Sequence, residues 1–435
     1  MASIGQSWGR FPSANQKVVG VFDRHAELPL THGVTHLPYG NGRSYGDSCL
    51  NDGGVLLHTR GLDRYISFDA DTGVLECEAG VLFAEILEQA IPQGWFIPVT
   101  PGTKFVTVGG AIANDVHGKN HHRAGTFGRH VMAFELVRSN GERLFCSPSE
   151  NEDWFAATVG GLGLTGLITW ARIQLRRVMS PWMSTEVHRF ESLDGFFRLS
   201  AESDRDYEYT VAWVDCAAAG RQLGRGLFTR ANHAPAAPDC RPEAPSRRLR
   251  VPLTPPFSLI NSLSLRAFNA LYYRRQRQPV AYATTHYEPH FYPLDGVLDW
   301  NRIYGPQGFL QYQCVVPPAS APTAIEELLR LIAQSGSGSF LAVLKQFGNM
   351  ASPGMLSFPR PGTTLALDFP NHGQRTLDLL GHLDDVVAKA GGAVYPAKDA
   401  RMSGRRFRQY FPNWESFSRY LDPRFSSSFW RRVME

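Results

Sequence analysis

The chain has 435 residues, of which 43% are hydrophobic, 12% aromatic and 19% charged. That length accommodates two or three domains with a sizeable core, and the composition excludes a disordered tail, a coiled coil and a collagen-like repeat. The formal net charge of +4 hides an asymmetry: residues 221–280 contain eleven arginines, no lysine and only Asp239 and Glu243, so this window carries +9 and the remainder −5.

The first residues, MASIGQSWGRFPSANQK, lack an apolar signal region, so no signal peptide is expected. GGVLLHTRGL (53–62), DRYISFDADTGVLECEAG (63–80) and HVMAFELVRSNGERLFCSP (130–148) read as strands and hairpins with Gly, Asn-Gly or Asp-containing turns. LFAEILEQAIPQG (82–94) reads as a short amphipathic helix closed by Pro92 and Gly94. From about residue 182 the strands lengthen, as in DYEYTVAWVDC (206–216) and GFLQYQCVVP (308–317). Helices follow at PTAIEELLRLIAQSG (322–336) and RTLDLLGHLDDVVAKAGG (375–392), and residues 234–256 read as a mobile loop. The longest uncharged run, near Phe155–Ala171, is too short and too rich in Gly and Thr to span a bilayer, so no transmembrane helix is expected. Six scattered cysteines form no CxxC pair, which suits reduced thiols in a cytoplasmic protein.

Three glycine-rich stretches carry the chemistry. PYGNGRSYGD (38–47) places Gly40, Gly42 and Gly46 within seven residues, a spacing that suits an anion nest of backbone N–H groups beside Arg43 and Ser44. It is neither a Walker nor a Rossmann pattern, and a tight surface turn would use the same residues. PGTKFVTVGGAIANDVHGKNHH (101–122) sets Gly109 and Gly110 in an apolar run, which argues for close approach to something flat or phosphorylated. His117, His121 and His122 lack a supporting carboxylate, and Gly118 and Asn120 disfavour a helix holding i,i+4 ligands, so no metal is expected. TVGGLGLTGLI (158–168) puts four glycines in a strand-like context.

In order and spacing these stretches resemble the flavin oxidases of the vanillyl-alcohol oxidase type. AWVDC (212–216), GRG (224–226), WNRIYGPQGFLQYQ (300–313), LKQFG (344–348), LDFP (367–370) and YPAKDAR (395–401) extend the resemblance over most of the chain, toward the polyprenylphosphoryl-ribose 2-oxidases of that type. The resemblance implies an α+β, two-lobed FAD-binding fold with a substrate-binding cap domain over an antiparallel sheet. The FAD-binding part would span 1–181, the cap 182–392, and the segment 393–435 would return to the FAD-binding part. Pro38, Tyr39, Gly40, Asn41, Gly42, Arg43, Ser44, Tyr45, Gly46, Asp47 and Ser48 would surround the pyrophosphate. Gly102, Thr103, Thr107, Val108, Gly109 and Gly110 would continue the cradle. Asn114, Asp115, Val116, His117 and Gly118 would lie along the flavin, Ile168 near the adenine, and Tyr395 and Lys398 at the isoalloxazine. Non-covalent FAD is expected.

The implied reaction oxidises the ribose C2 hydroxyl of a polyprenyl-phosphoryl-β-D-ribofuranose to the 2-keto sugar. A partner NAD(P)H-dependent keto-reductase would complete epimerisation to arabinose. Such a step moves a hydride to the flavin and removes the hydroxyl proton. Lys398 is the candidate cation opposite the reduced flavin, and Tyr45, His117 and Lys345 are candidate proton acceptors. Asn301, Tyr304, Gln311, Gln313 and Lys345 are candidates for the sugar pocket, with a structural role equally open for each. VLKQF (343–347) alternates, placing Lys345 on the face of Val343 and Phe347, where an ammonium calls for a partner such as a substrate phosphate. Two other readings remain: a soluble sugar or aldonolactone oxidase of the same fold, and a non-catalytic partner-binding protein.

The Arg-rich window overlaps VPLTPPFSLINSLSLRAFNALYY (251–273), whose single charge is Arg266. Apolar surface beside clustered arginine suits a lipid phosphate or an anionic membrane, and a solvated basic loop beside a core helix is the alternative. No nucleic-acid motif accompanies the charge, so no nucleic-acid partner is expected. The expected location is cytoplasmic, with peripheral contact at the inner membrane face.

Overall fold

The computed structural model describes residues 4–235 and 249–435. Near the N-terminus β1 (Lys17–Gly20), β2 (His36–Tyr39) and β3 (Val55–His58) form a parallel sheet in the order β1-β3-β2. The central β3 buries Val55, Leu56 and Leu57, as a strand flanked on both edges must, whereas edge strand β1 buries none of its residues. β4 (Tyr65–Asp69), β5 (Val74–Glu78), β6 (Val131–Val137), β7 (Arg143–Cys146) and β8 (Leu167–Gln174) form an antiparallel sheet in the order β4-β5-β8-β6-β7.

Helix α1 (Phe83–Ala90) buries Phe83, Ala84, Ile86, Leu87 and Ala90. Its Glu85 carboxylate accepts from the Leu82 backbone N–H at 2.8 Å and pairs with Arg60. The chain stops helical growth at Pro92 and turns at Gly94, φ +79°. Gly109 and Gly110 fall inside a short helix, α2 (Val108–Ala113), whose N-cap is Thr107: its hydroxyl accepts from Gly110 N–H at 3.1 Å. The strand-like reading of residues 158–166 is corrected here. Gly160, Leu162, Gly163 and Gly166 all take positive φ, which turns the chain instead of extending it, and β8 begins only at Leu167.

The largest sheet has eight antiparallel strands: β9 (Trp182–Phe190), β10 (Tyr209–Val214), β11 (Gly226–His233), β12 (Val280–His286), β13 (Phe309–Val316), β14 (Val343–Phe347), β15 (Gly362–Pro370) and β16 (Ala393–Val394). Their order is β12-β9-β11-β10-β14-β15-β13-β16. Period-2 alternation gives the sheet two unlike faces. Ala212, Val214, Leu344 and Leu365 point into the main core, which they share with Leu328, Leu329 and Ile332 of α3 (Ala321–Ser335) and Leu380, Leu383 and Val387 of α4 (Gln374–Lys389). The opposite face looks onto a cavity. After β16 the chain returns to the N-terminal part: Tyr45 N–H donates to the Ala397 carbonyl at 2.9 Å, and Arg432 bridges Asp47 (2.7 Å) and Asp399 (3.0 Å).

Residues 236–248, most of the loop expected at 234–256, together with Arg247, Arg248 and Cys240, lie outside the described residues. Leu249–Arg250 pairs in parallel with Val297–Leu298, and an α-helix follows at Ser262–Arg275, capped by the Asn261 side chain at 3.0 and 3.1 Å. Among the described residues no helix is long and apolar enough to cross a membrane. Cys49, Cys77, Cys146, Cys216 and Cys314 are free thiols.

Candidate active site

A cavity of about 1060 Å³ runs from the glycine-rich loops to the open face of the eight-stranded sheet. One end is backbone. Pro38–Tyr45 and Ser48 line it, with Gly102, Thr103, Thr107, Gly109 and Gly110, then Asn114 and Val116–Gly118, and Ile168 at one side. The loops are held from behind: Asn41 donates to the Phe105 carbonyl at 2.7 Å, Ser44 O accepts from Trp8 N–H at 2.8 Å, and the Arg43 guanidinium lies 4.3 Å from the Trp8 ring. A Cβ on Gly40 would meet Thr107 Oγ1 at 2.3 Å, one on Gly42 the Tyr39 hydroxyl at 2.2 Å, and one on Gly46 the Asp399 carbonyl at 1.6 Å. A Cβ on Gly102 would meet nothing within 4 Å. The first three glycines therefore serve the loop's own packing, while Gly102 opens onto the cavity.

Gly46, Asp47, Val108 and Asp115 are not part of the cavity wall. Asp47 is tied to Arg432. Asp115, at φ +40°, accepts from Gly128 N–H at 2.9 Å and the Ser357 hydroxyl at 2.5 Å, so it holds the turn before His117 from the rear.

The middle of the cavity is polar. His117 sits among Phe347, Phe358 and Tyr395, and its Nε2 accepts from the Gln313 amide at 2.8 Å. That bond places the proton on Nδ1, which is buried and has no hydrogen-bond partner. Burial, with Lys345, His121 and Lys398 nearby, holds the imidazole well below its usual pKa and therefore neutral. Tyr395 donates to the Asn114 carbonyl at 2.8 Å. Lys398 Nζ lies 3.9 Å from the centroid of the Tyr45 ring. Burial pushes its ammonium down to about 7, against an upward pull from Asp368 and a further push down from Lys345. Asp368, buried and raised to about 6 by desolvation, accepts from Gln311 at 2.7 Å and Tyr304 at 3.3 Å. Lys345 is pushed down to about 8 by burial, and among the described residues no carboxylate pairs with it.

Of the expected sugar-pocket residues, Gln311, Gln313 and Lys345 line the cavity. Asn301 and Tyr304 stand behind it: Asn301 donates to the Trp8 carbonyl at 3.0 Å and Tyr304 to Asp368. His121 accepts from Gly348 N–H at 3.2 Å, and His122 Nε2 donates to the Tyr207 carbonyl at 3.0 Å, so the two histidines are engaged separately. Lys119 was missed. It lines the cavity one residue past Gly118, is pushed down to about 7 by burial, and donates to the His290 carbonyl. Its only sequence signal was a lysine inside a glycine-rich stretch. Asp368 was missed as an organiser because its partners are 57 and 64 residues away.

These features fit a flavin dinucleotide: a backbone cradle with an open Gly102, a guanidinium at its rim, and an unpartnered buried Nδ1 beyond it. A family model described as an FAD binding domain matches residues 26–147. The site is thus that of an FAD-dependent oxidoreductase. Decaprenylphosphoryl-beta-D-ribose oxidase of Mycolicibacterium smegmatis (strain ATCC 700084 / mc(2)155) is 37% identical over 415 residues, which is 91% of this chain and 88% of that protein. The chain belongs to the vanillyl-alcohol oxidase type of FAD-dependent oxidoreductases, in the family of that oxidase. An uncharacterized Streptomyces coelicolor protein encoded in the mprA 5' region is 36% identical over 76% of this chain and 92% of its own length. Cytokinin dehydrogenase 8 of Oryza sativa subsp. indica is 29% identical over 37% of this chain and 33% of its own.

Proposed function

We propose that the protein oxidises the C2 hydroxyl of a polyprenyl-phosphoryl-β-D-ribofuranose to the 2-keto sugar, as the first half of an epimerisation to arabinose that a partner keto-reductase completes. The observation that carries this reading is the single cavity joining a dinucleotide cradle to a lysine-rich polar middle and then to an apolar sheet face. In this organisation residues 1–181 and 393–435 hold FAD without a covalent link, and 182–392 form the substrate cap. Bound FAD supplies a two-electron acceptor for the hydride leaving the carbinol carbon.

The remaining tasks fall to side chains. The cavity-lining residues of the two loops (Pro38–Tyr45, Ser48, Gly102, Thr103, Thr107, Gly109 and Gly110) hold the dinucleotide, and Lys398, steadied by the Tyr45 ring and Asp368, supplies a positive charge. Among the three candidate proton acceptors, His117 gives its Nε2 lone pair to Gln313 and Tyr45 carries Lys398 on its ring. That leaves Lys345, with a pKa near 8, to take the hydroxyl proton. Lys119, which lines the cavity between the cradle and the sheet face, is the lysine available to the substrate phosphate.

Peripheral contact with an anionic membrane belongs to the same reading. Eight of the fifteen exposed large apolar side chains among the described residues fall between Leu249 and Tyr282. No Asp or Glu occurs from Ala244 to Tyr287, against seven arginines.

Anaerobic bleaching of the flavin band tests the reading. A short polyprenyl-phosphoryl ribose should bleach it rapidly while free ribose and a sugar lactone do not. Bleaching by the soluble sugars alone would move the protein to the aldonolactone-type oxidases.

A further inference from the structure

We propose that the apolar half of the cavity, across strands β9 to β14 of the eight-stranded sheet, is the binding site for the isoprenoid tail of the substrate; this rests on the lipid-phosphate reading above. The registers put side chains from distant segments into continuous rows. Leu227, Trp213, Val343, Ala366 and Gln313 are successive cross-strand neighbours, and Val187, Thr229 and Val211 form a second row beside them. All eight line the cavity. At about 4.8 Å per strand, the first row extends about 19 Å from Gln313 to Leu227.

The character of that row changes along its length. At Gln313 it meets His117, and Lys345 stands two residues from Val343 on the same strand face. From Ala366 to Leu227 no ionisable side chain interrupts it. A sugar phosphate at the polar end would therefore extend its ester substituent along hydrocarbon, which a free sugar cannot use. A free sugar offers only its small C–H faces to apolar surface, too little and too short to cover such a wall.

The far end leads to the exposed patch. The Trp213 ring packs on Tyr272 of the Ser262–Arg275 helix at 4.8 Å, Tyr272 stacks on Phe268 at 5.8 Å, and the Arg275 guanidinium lies 5.1 Å from the Tyr272 ring. Tyr272 and Arg275 line the cavity, whereas Leu263 and Leu271 of the same helix are 79% and 70% exposed. A helix that turns leucine and arginine outward suits a bilayer interface. It gives a tail longer than the trough a route into lipid.

The test compares tail-less methyl-phosphoryl ribofuranose with farnesyl-phosphoryl ribofuranose on the flavin-loaded enzyme. The farnesyl group should raise kcat/KM at least tenfold in the wild type, mainly through KM. Val211→Asp and Thr229→Asp, both at half-buried positions, should each cut that ratio about tenfold by setting a carboxylate against the tail. Flavin content and melting temperature check that the variants fold. Titration with farnesyl phosphate, followed by the shift of the flavin absorption band, gives a readout without turnover, and the same variants should weaken it about tenfold. Variants that keep the wild-type ratio and the wild-type titration would overturn the tail site. If neither sugar substrate is oxidised while the farnesyl phosphate titration responds to the variants, the proposed reaction fails and the tail site stands.

Discussion

On the proposed function, the glycine cradle and the open face of the large sheet would recognise ligands by opposite means. The cradle is built from two short contiguous segments and presents backbone, so its design lies in which residues lack a side chain. The sheet face gathers one or two side chains from each of seven strands, spread over residues 185–366, and presents only side chains. Backbone recognition suits a cofactor that never changes, and side-chain recognition suits a substrate whose tail and sugar distinguish one oxidase from another. The two regions should therefore fail differently when altered.

The largest effect should come from Gly46→Val. The new Cβ would fall 1.6 Å from the Asp399 carbonyl, a backbone atom of a residue whose carboxylate Arg432 holds. Such overpacking costs about 3 kcal/mol or more. The expected result is a protein with a sharply lower melting temperature and little bound flavin, read from the ratio of 450 nm to 280 nm absorbance. A stable, yellow Gly46→Val protein would show that the loop can part from residues 397–399 without losing the cofactor.

This difference also decides what was legible in the sequence. The cradle was visible because glycine spacing is local, although the reason assigned to Gly40, Gly42 and Gly46 was ligand approach and the structure gives them loop packing instead. Lys345 was legible by alternation along its strand, and Gln311 and Gln313 only as polar residues in a strand-like stretch; all three line the cavity. Asp368, Lys119 and the Trp213 row were not, because each gains its meaning from a partner many residues away. The arginine that clamps the cradle, Arg432, pairs with an aspartate 385 residues earlier, a relation no local pattern encodes. Residues 158–166 misled in the other direction: apolar spacing suggested a strand, and positive φ at the glycines made a turn.

An intermediate effect is expected where the two regions meet. Lys398→Ala should slow flavin reduction by about two to three orders of magnitude in a protein that keeps its flavin and its melting temperature; wild-type reduction rates would refute the role of this cation. The pH dependence sharpens the assignment. The rate should peak between pH 7 and 8, rising as Lys345 sheds its proton near 8 and falling as Lys398 loses its own near 7. The Asp368 carboxylate supports the charged form of Lys398, so Asp368→Asn, by lowering the Lys398 pKa about one unit, should move the optimum down by about half a unit and lower the peak rate several-fold. An optimum that stays in place at full height would separate Asp368 from Lys398.

The smallest effect, and the sharpest test of the cradle, is Gly102→Ala. This glycine needs no positive φ, and nothing of the protein lies within 4 Å of the added Cβ. Alanine should therefore leave the flavin-free protein as stable as before, or stabilise it by up to about 1 kcal/mol through a less flexible unfolded chain. If the residue faces the dinucleotide, the same methyl must intrude on it. FAD affinity, measured by fluorescence on dilution, should then fall about tenfold, equivalent to about 1.4 kcal/mol. The two readouts move independently because the clash is with the cofactor and not with the fold. A variant with unchanged FAD affinity would remove residues 101–103 from the cradle and confine dinucleotide binding to the 38–48 loop and α2.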